Sequence, residues 1–133
     1  MIKLFIGGKG SGKTKTLIEI VNNAVEASKG NVICIEKGDK LIHDITYKAR
    51  LVDTDAYAIS EADALYGFIA GILASNSDIT DIFVDSALKI VGNDTAAFET
   101  MLKKLEKITA DVNLVMTASI AVEECPEGIK AYA

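Results

Sequence analysis

Residues 2–21 read IKLFIGGKGSGKTKTLIEIV, and the change of character within this stretch decides the architecture. Ile2 to Ile6 is a short, mostly apolar run that stops at Gly7 and Gly8, the pattern of a buried strand delivered into a tight turn. Past the glycines the period changes. Leu17, Ile18, Val21, Ala24 and Val25 recur at three- and four-residue spacing and Gly30 supplies a stop signal, so the spacing predicts a helix over 14–29. The opening unit is therefore strand, glycine loop, helix.

Working outward, the same alternation continues. Residues 31–36, NVICIE, are rich in β-branched residues and bounded by Gly30 and Gly38, a second buried strand. A short helix is expected over 39–48 with Leu41, Ile42 and Ile45 inward, and one or two short strands over 51–59. Ser60 opens SEAD, a serine followed three positions on by an acid, which signals a capping box ahead of a helix carrying Ala64, Leu65, Phe68, Ile69, Ile72 and Leu73 on one face. Residues 79–85 read as the next strand and 95–109 as a helix with Phe98, Met101, Leu102, Leu105 and Ile108 inward. The strand over 112–117 is the last clear one. The tail over 123–133 is expected either to add an edge strand or to lie loose.

Near-continuously apolar strands alternating with amphipathic helices describe a mainly parallel sheet covered on both faces. The predicted fold class is α/β, a three-layer α/β/α sandwich. The chain of 133 residues has the size of one domain, and no linker, repeat or low-complexity stretch divides it, so residues 1–133 are taken as a single unit.

Composition narrows the partners. A formal net charge of -5 argues against nucleic acid, whose non-specific binding draws on clustered Lys and Arg. Cys34 and Cys125 are too few for a disulfide scaffold and form no CxxC pair. The amino terminus lacks the apolar core and cleavage site of a signal peptide, and no apolar stretch is long enough to span a bilayer. A cytoplasmic protein without a membrane partner is the expectation.

The chemistry lies in GGKGSGKT, residues 7–14, which matches GxxxxGK[ST] without a gap and sits between a predicted strand and a predicted helix, the context this motif requires. Gly7, Gly8, Gly10 and Gly12 let the backbone fold back so that successive N–H groups, with that of Ser11, point at phosphates, and the helix begun there adds its positive end. Such a P-loop binds a nucleoside triphosphate, here expected to be ATP with Mg2+. Lys13 reaches the β and γ phosphates, and the Thr14 hydroxyl ligates magnesium. Lys9, within the loop, is a solvated charge in reach of phosphate, and Lys15, just after the motif, is expected among the nucleotide-binding residues. The alternative, a glycine-rich turn with a chance Lys-Thr, leaves the flanking strand and helix unexplained.

ITDIFVDS, residues 79–86, places Asp85 at the carboxyl end of an apolar strand, where a P-loop enzyme needs the carboxylate that holds magnesium. The bland alternative is an aspartate capping a loop. Residue 86 is serine, so the water-orienting acid that often follows is absent and must come from elsewhere. Glu36 is the candidate, because it ends the strand after the P-loop helix and so reaches the carboxyl edge where open α/β sheets bind ligands. Its alternative is a surface glutamate beside Lys37 and Lys40. His43 reads as a surface or packing residue. Arg50 is the single arginine, hence the one arginine finger the chain could offer a neighbouring subunit; otherwise it is a surface charge at a sheet edge. Lys103, Lys104 and Lys107 read as a solvated helix face.

Taken together these residues resemble the core of RecA-like ATPases, from Ile2 to about Ala121. The resemblance sets GGKGSGKT on the P-loop, CIE with Glu36 on the strand ending in the catalytic glutamate, IFVDS with Asp85 and Ser86 on the Walker B strand, and LVMT on the strand ending in a polar sensor, Thr117. It implies a catalytic set of Lys13, Glu36 and Thr117, with Thr14 and Asp85 at the metal. Thr117 stands where RecA-like recombinases usually have glutamine, and basic DNA-binding loops are missing, so what is implied is the ATPase core without recombination. Two other activities remain open on the sequence. One is a nucleotide-responsive module with little turnover that signals to a protein partner or assembles with copies of itself. The other is a kinase of the thymidine-kinase kind, against which stand the missing zinc-binding cysteines and the missing DE at the Walker B end. A GTPase is disfavoured by SAL after Asp85 where DxxG is needed.

Overall fold

The computed structural model describes Met1–Ala133. Five strands form one sheet in the order β1-β5-β4-β2-β3, where β1 is Ile2–Gly7, β2 Asn31–Glu36, β3 Arg50–Asp53, β4 Ile79–Val84 and β5 Asn113–Ser119. Every neighbouring pair in the sheet is parallel. Five helices connect and flank them: α1 Lys13–Ala27, α2 Ala62–Ser75, α3 Ala87–Ile90, α4 Thr95–Ile108 and α5 Glu127–Lys130. The α/β class with helices over a parallel sheet is as the alternation predicts.

The strand order dictates which face each helix covers. The connection from β1 to β2 crosses the sheet in one direction, and those from β3 to β4 and from β4 to β5 return in the other. Because parallel crossovers are right-handed, opposite directions of travel place α1 on one face and α2 with α4 on the other. The core divides accordingly. On the α1 face Leu17 and Val21 pack with Val32, Cys34 and Phe83. On the other, Leu65, Ile69, Phe98 and Leu102 pack with Ile33, Ile35, Ile82, Val84 and Leu114. Alternate residues of β2 and β4 thus enter opposite layers, the two-residue period of a strand buried on both sides.

The single strand found over 51–59 agrees with the one or two expected. Four other sequence expectations are corrected, the first being Ile108, which its spacing places inward but which is 38% exposed in the last turn of α4. Residues 39–48 form consecutive turns in place of a helix. Local backbone bonds such as that from the Ile45 N–H to the Leu41 carbonyl do not continue into a ladder, and side chains take other groups: Lys40 and Leu41 donate their N–H groups to Glu36, Thr46 donates its N–H to Asn22, and Asn22 donates to the Asp44 carbonyl. Leu41 and Ile45 still enter the α1-side core, whereas Ile42 faces solvent. Over 51–59 there is one strand followed by a 3-10 turn, Thr54–Tyr57, capped by Asp53. The SEAD capping box does not form; Glu61 occupies the N-cap of α2 without a side-chain bond. The tail neither adds a strand nor lies loose. It buries Cys125 and Ile129, and Leu4 donates its N–H to the Tyr132 carbonyl at 2.8 Å, closing the open edge of β1.

Candidate functional site

A parallel sheet brings all its carboxyl ends to one edge. Register pairs Gly7 with Ser119, Glu36 with Asp53 and Val84 with Met116, so the loop after β1, the residue after β4 and the end of β5 lie side by side. The connections that leave β1 and β4 run in opposite directions over the sheet, and diverging connections of this kind leave a crevice at the carboxyl edge where open α/β sheets bind ligands.

Residues 7–14 form the floor of that crevice. Gly12 takes the N-cap of α1 in the left-handed conformation, φ 87°, and no side chain caps the first turn. The turn's N–H groups therefore remain available to an anion. At Gly7 a Cβ would stand 2.7 Å from the Ser11 hydroxyl, so a side chain there would displace the hydroxyl that accepts from Lys13. Lys13 folds back over the loop, donating to the Gly8 carbonyl at 2.9 Å and to the Ser11 hydroxyl at 3.1 Å.

Behind the loop lies a chain of hydroxyls and one carboxylate. Asp85 is buried, and its backbone N–H donates to the Ile35 carbonyl at 2.9 Å, which fixes the end of β4 to β2. Its Oδ1 accepts from the Thr117 hydroxyl at 2.7 Å and from the Thr14 hydroxyl at 3.1 Å. Thr117 in turn accepts the Ser86 N–H at 2.7 Å. Ser86 is held at φ 56°, a left-handed conformation that costs a non-glycine residue about 1 kcal/mol or more. The structure thus joins Thr14, Asp85 and Thr117, which lie far apart in the chain.

No protein-family model matches the chain, and no curated protein matches it.

Above this floor the crevice has a volume of about 570 Å³ and no hydrophobic residue lines it. Five lysines face it: Lys9, Lys13 and Lys15 from the loop and α1, Lys40 from the segment after β2, and Lys89 from α3. Ser86, Asn93 and Ser119 complete the far wall. No carboxylate is among the lining residues, although the chain as a whole carries a net charge of -5. The cleft gathers positive charge in an acidic protein.

Lys40, Lys89, Asn93 and Ser119 were not singled out by sequence. A weak signal existed for Lys89, the one polar residue of the buried turn ALKI, and for Gly92-Asn93, a pair suited to the positive φ both residues adopt.

Glu36 does not line the crevice. It is 3% exposed, with Oε1 accepting from the Lys40 N–H and Oε2 from the Leu41 N–H, each at 3.1 Å. Burial raises its pKa above the ordinary 4.5; the two N–H donors pull it back, and the charges of Asp85 and Asp53 push it up. Arg50 is exposed at the amino end of edge strand β3, away from the crevice. His43 is exposed in the turns of 39–48.

The residues fit a magnesium ion on chemical grounds. A threonine hydroxyl and a carboxylate, both hard oxygen donors, meet at the foot of a cleft. Magnesium characteristically takes one or two such protein ligands and completes its shell with phosphate and water. No cluster of three or more His, Cys, Asp or Glu side chains forms a cage of its own.

Proposed function

We propose that the protein binds a nucleoside triphosphate with magnesium and is a small RecA-like P-loop ATPase. The observation that carries this is the meeting of the GxxxxGK[ST] loop with Asp85: Thr14, the residue the motif reserves for magnesium, lies 3.1 Å from the carboxylate at the end of β4. When the triphosphate enters, Lys13 exchanges its bonds to Gly8 and Ser11 for phosphate oxygens, and the uncapped first turn of α1 receives the chain of phosphates. Thr14 and Asp85 hold the metal, which supplies neutralisation of the phosphate charge. Thr117 orients Asp85 and, through the Ser86 N–H, ties that carboxylate to α3.

The test is titration calorimetry with MgATP on the parent and on Lys13→Ala. The side chain bonds only within the loop and leaves the core untouched, so the variant is expected to fold as the parent does and to lose affinity by at least tenfold. Equal affinity in the two proteins would sink the reading.

A second reading is favoured by Glu36. Its oxygens both accept backbone N–H groups and no carboxylate lines the cleft, so the geometry supplies no evident group to orient water. On that ground the protein is a nucleotide-responsive module with little turnover. Phosphate release separates the two. An ATPase whose turnover falls about 10²-fold or more in Glu36→Gln uses that residue as its base, and absence of release by the parent selects the module.

A further inference from the structure

We infer that the cleft reads the triphosphate chain and not the nucleoside, so that its ligands are polyphosphates as a class: ATP, GTP and CTP alike, and inorganic tripolyphosphate with them. The inference rests on the triphosphate reading above and extends it to what the site ignores.

Selecting a base takes a surface for its ring or a set of groups for its edge. Stacking on an aromatic side chain contributes about 1–3 kcal/mol per base, and small-molecule pockets are lined chiefly by apolar and aromatic groups. Here no apolar residue lines the cleft. All eight aromatic rings are placed elsewhere. Phe83 and Phe98 are buried in the two cores, and Tyr57 stacks against Phe68 at 5.9 Å beside β3. Lys3 covers Phe5, Lys104 covers Tyr66 at 4.2 Å, and Tyr132 donates to Glu106. Tyr47, 91% exposed, stands in the turns of 39–48 and is not part of the cleft wall. Reading base edges falls to Asn93 alone among side-chain amides and carboxylates in the lining, too little to distinguish a purine from a pyrimidine.

What the cleft does supply is charge of one sign from three directions. Lys9, Lys13 and Lys15 rise from the loop, while Lys40 and Lys89 approach from outside the motif. The last two are well anchored at the backbone. Lys89 sits in a helical turn whose other residues, Ala87, Leu88 and Ile90, are buried, and the Lys40 N–H is held by Glu36. With no carboxylate in the lining to neutralise them, these ammonium groups suit the most highly charged part of the ligand, and a nucleoside adds nothing they can grip.

The experiment is displacement of a fluorescent ATP analogue, with magnesium, by ATP, GTP, CTP, tripolyphosphate and adenosine, on the parent and on Lys40→Ala and Lys89→Ala. The expected result is four displacing ligands with dissociation constants within tenfold of one another, adenosine without effect, and each exposed-lysine variant weakening ATP and tripolyphosphate by the same factor. One nucleoside triphosphate binding more than tenfold tighter than the others overturns the inference and leaves triphosphate binding standing. So does a tripolyphosphate that fails to displace where ATP saturates, or a lysine variant that weakens ATP alone. Binding of neither ATP nor tripolyphosphate overturns both readings together.

Discussion

At Glu36 the carboxylate is buried and serves as an acceptor for the turn that follows β2, and this gives it a pH signature. Because burial holds its pKa above 4.5 in the folded state, the folded chain binds more protons than the unfolded chain above that pH. Stability contributed by the protonated group is present at acid pH and is lost as pH rises from 4.5 through the raised value. In Glu36→Gln this dependence is expected to vanish, so urea melts at successive pH values should show the parent losing ground to the variant as pH rises; parallel curves would refute the assignment. Cys34 is governed by the same environment. Burial first, then the charges of Glu36 and Asp85, push its pKa up to about 12, and burial also raises that of Cys125. Neither thiol is expected to react with iodoacetamide at neutral pH in the native protein, as thiolate is the reactive form; rapid labelling measured by mass spectrometry would contradict this. Thr14 and Asp85 were legible in the sequence because a motif fixes spacing and a strand end fixes position. The surroundings of Glu36 were not, since its acceptor role depends on how residues 37–41 fold back over it.

Among the elements, the long periodic ones were legible and the short irregular ones were not. The apolar spacing in α1, α2 and α4 repeats over several turns, and Leu17, Val21, Leu65, Ile69, Phe98 and Leu102 are buried as that spacing requires. Residues 39–48 show the limit: Leu41 and Ile45 are spaced as on a helix, but Asn22 takes the Thr46 N–H and the Asp44 carbonyl that a helix would use. Glu36 accepts from Lys40 and Leu41, N–H groups that a first turn leaves unpaired in any case. Asn22→Ala strips partners from Thr46 and Asp44 at once. It is expected to cost about 1 kcal/mol, the net worth of hydrogen bonds whose groups can turn to water, and to speed hydrogen exchange at Thr46; unchanged exchange would show that the turns hold themselves. The 3-10 turn after β3 offers the opposite case. Ala58 ends it at φ 56° and is exposed, so Ala58→Gly relieves a left-handed alanine and should stabilise the protein by about 1 kcal/mol in denaturant titration. A loss of stability would mean that the entropy of the unfolded glycine outweighs the strain.

Across the whole molecule, the parallel sheet sets function at one edge and leaves stability to the layers behind it. The glycine loop, Asp85 behind it and Ser119 on the cleft wall come together because β1, β4 and β5 all point the same way, and the alternation visible in sequence was enough to place the first two at that edge. The strand order was not legible, because periodicity marks an element as buried without naming its neighbour; only the order β1-β5-β4 explains how Thr117 comes to lie on Asp85. That arrangement predicts a linkage between ligand and global stability. A ligand bound only by the folded state at about one hundred times its dissociation constant adds about 2.7 kcal/mol, which for a domain of this size raises the melting temperature by about 10 °C. MgATP is expected to produce such a shift in the parent, and ATP with EDTA a much smaller one. Asp85→Asn keeps an oxygen to accept from Thr117 but removes the charge that faces Thr14, so the fold should survive while the magnesium-dependent part of the shift disappears. If instead the variant melted at the parent's temperature without ligand and responded to magnesium as the parent does, Asp85 would be a packing residue, and its contact with Thr14 would belong to the fold and not to a metal.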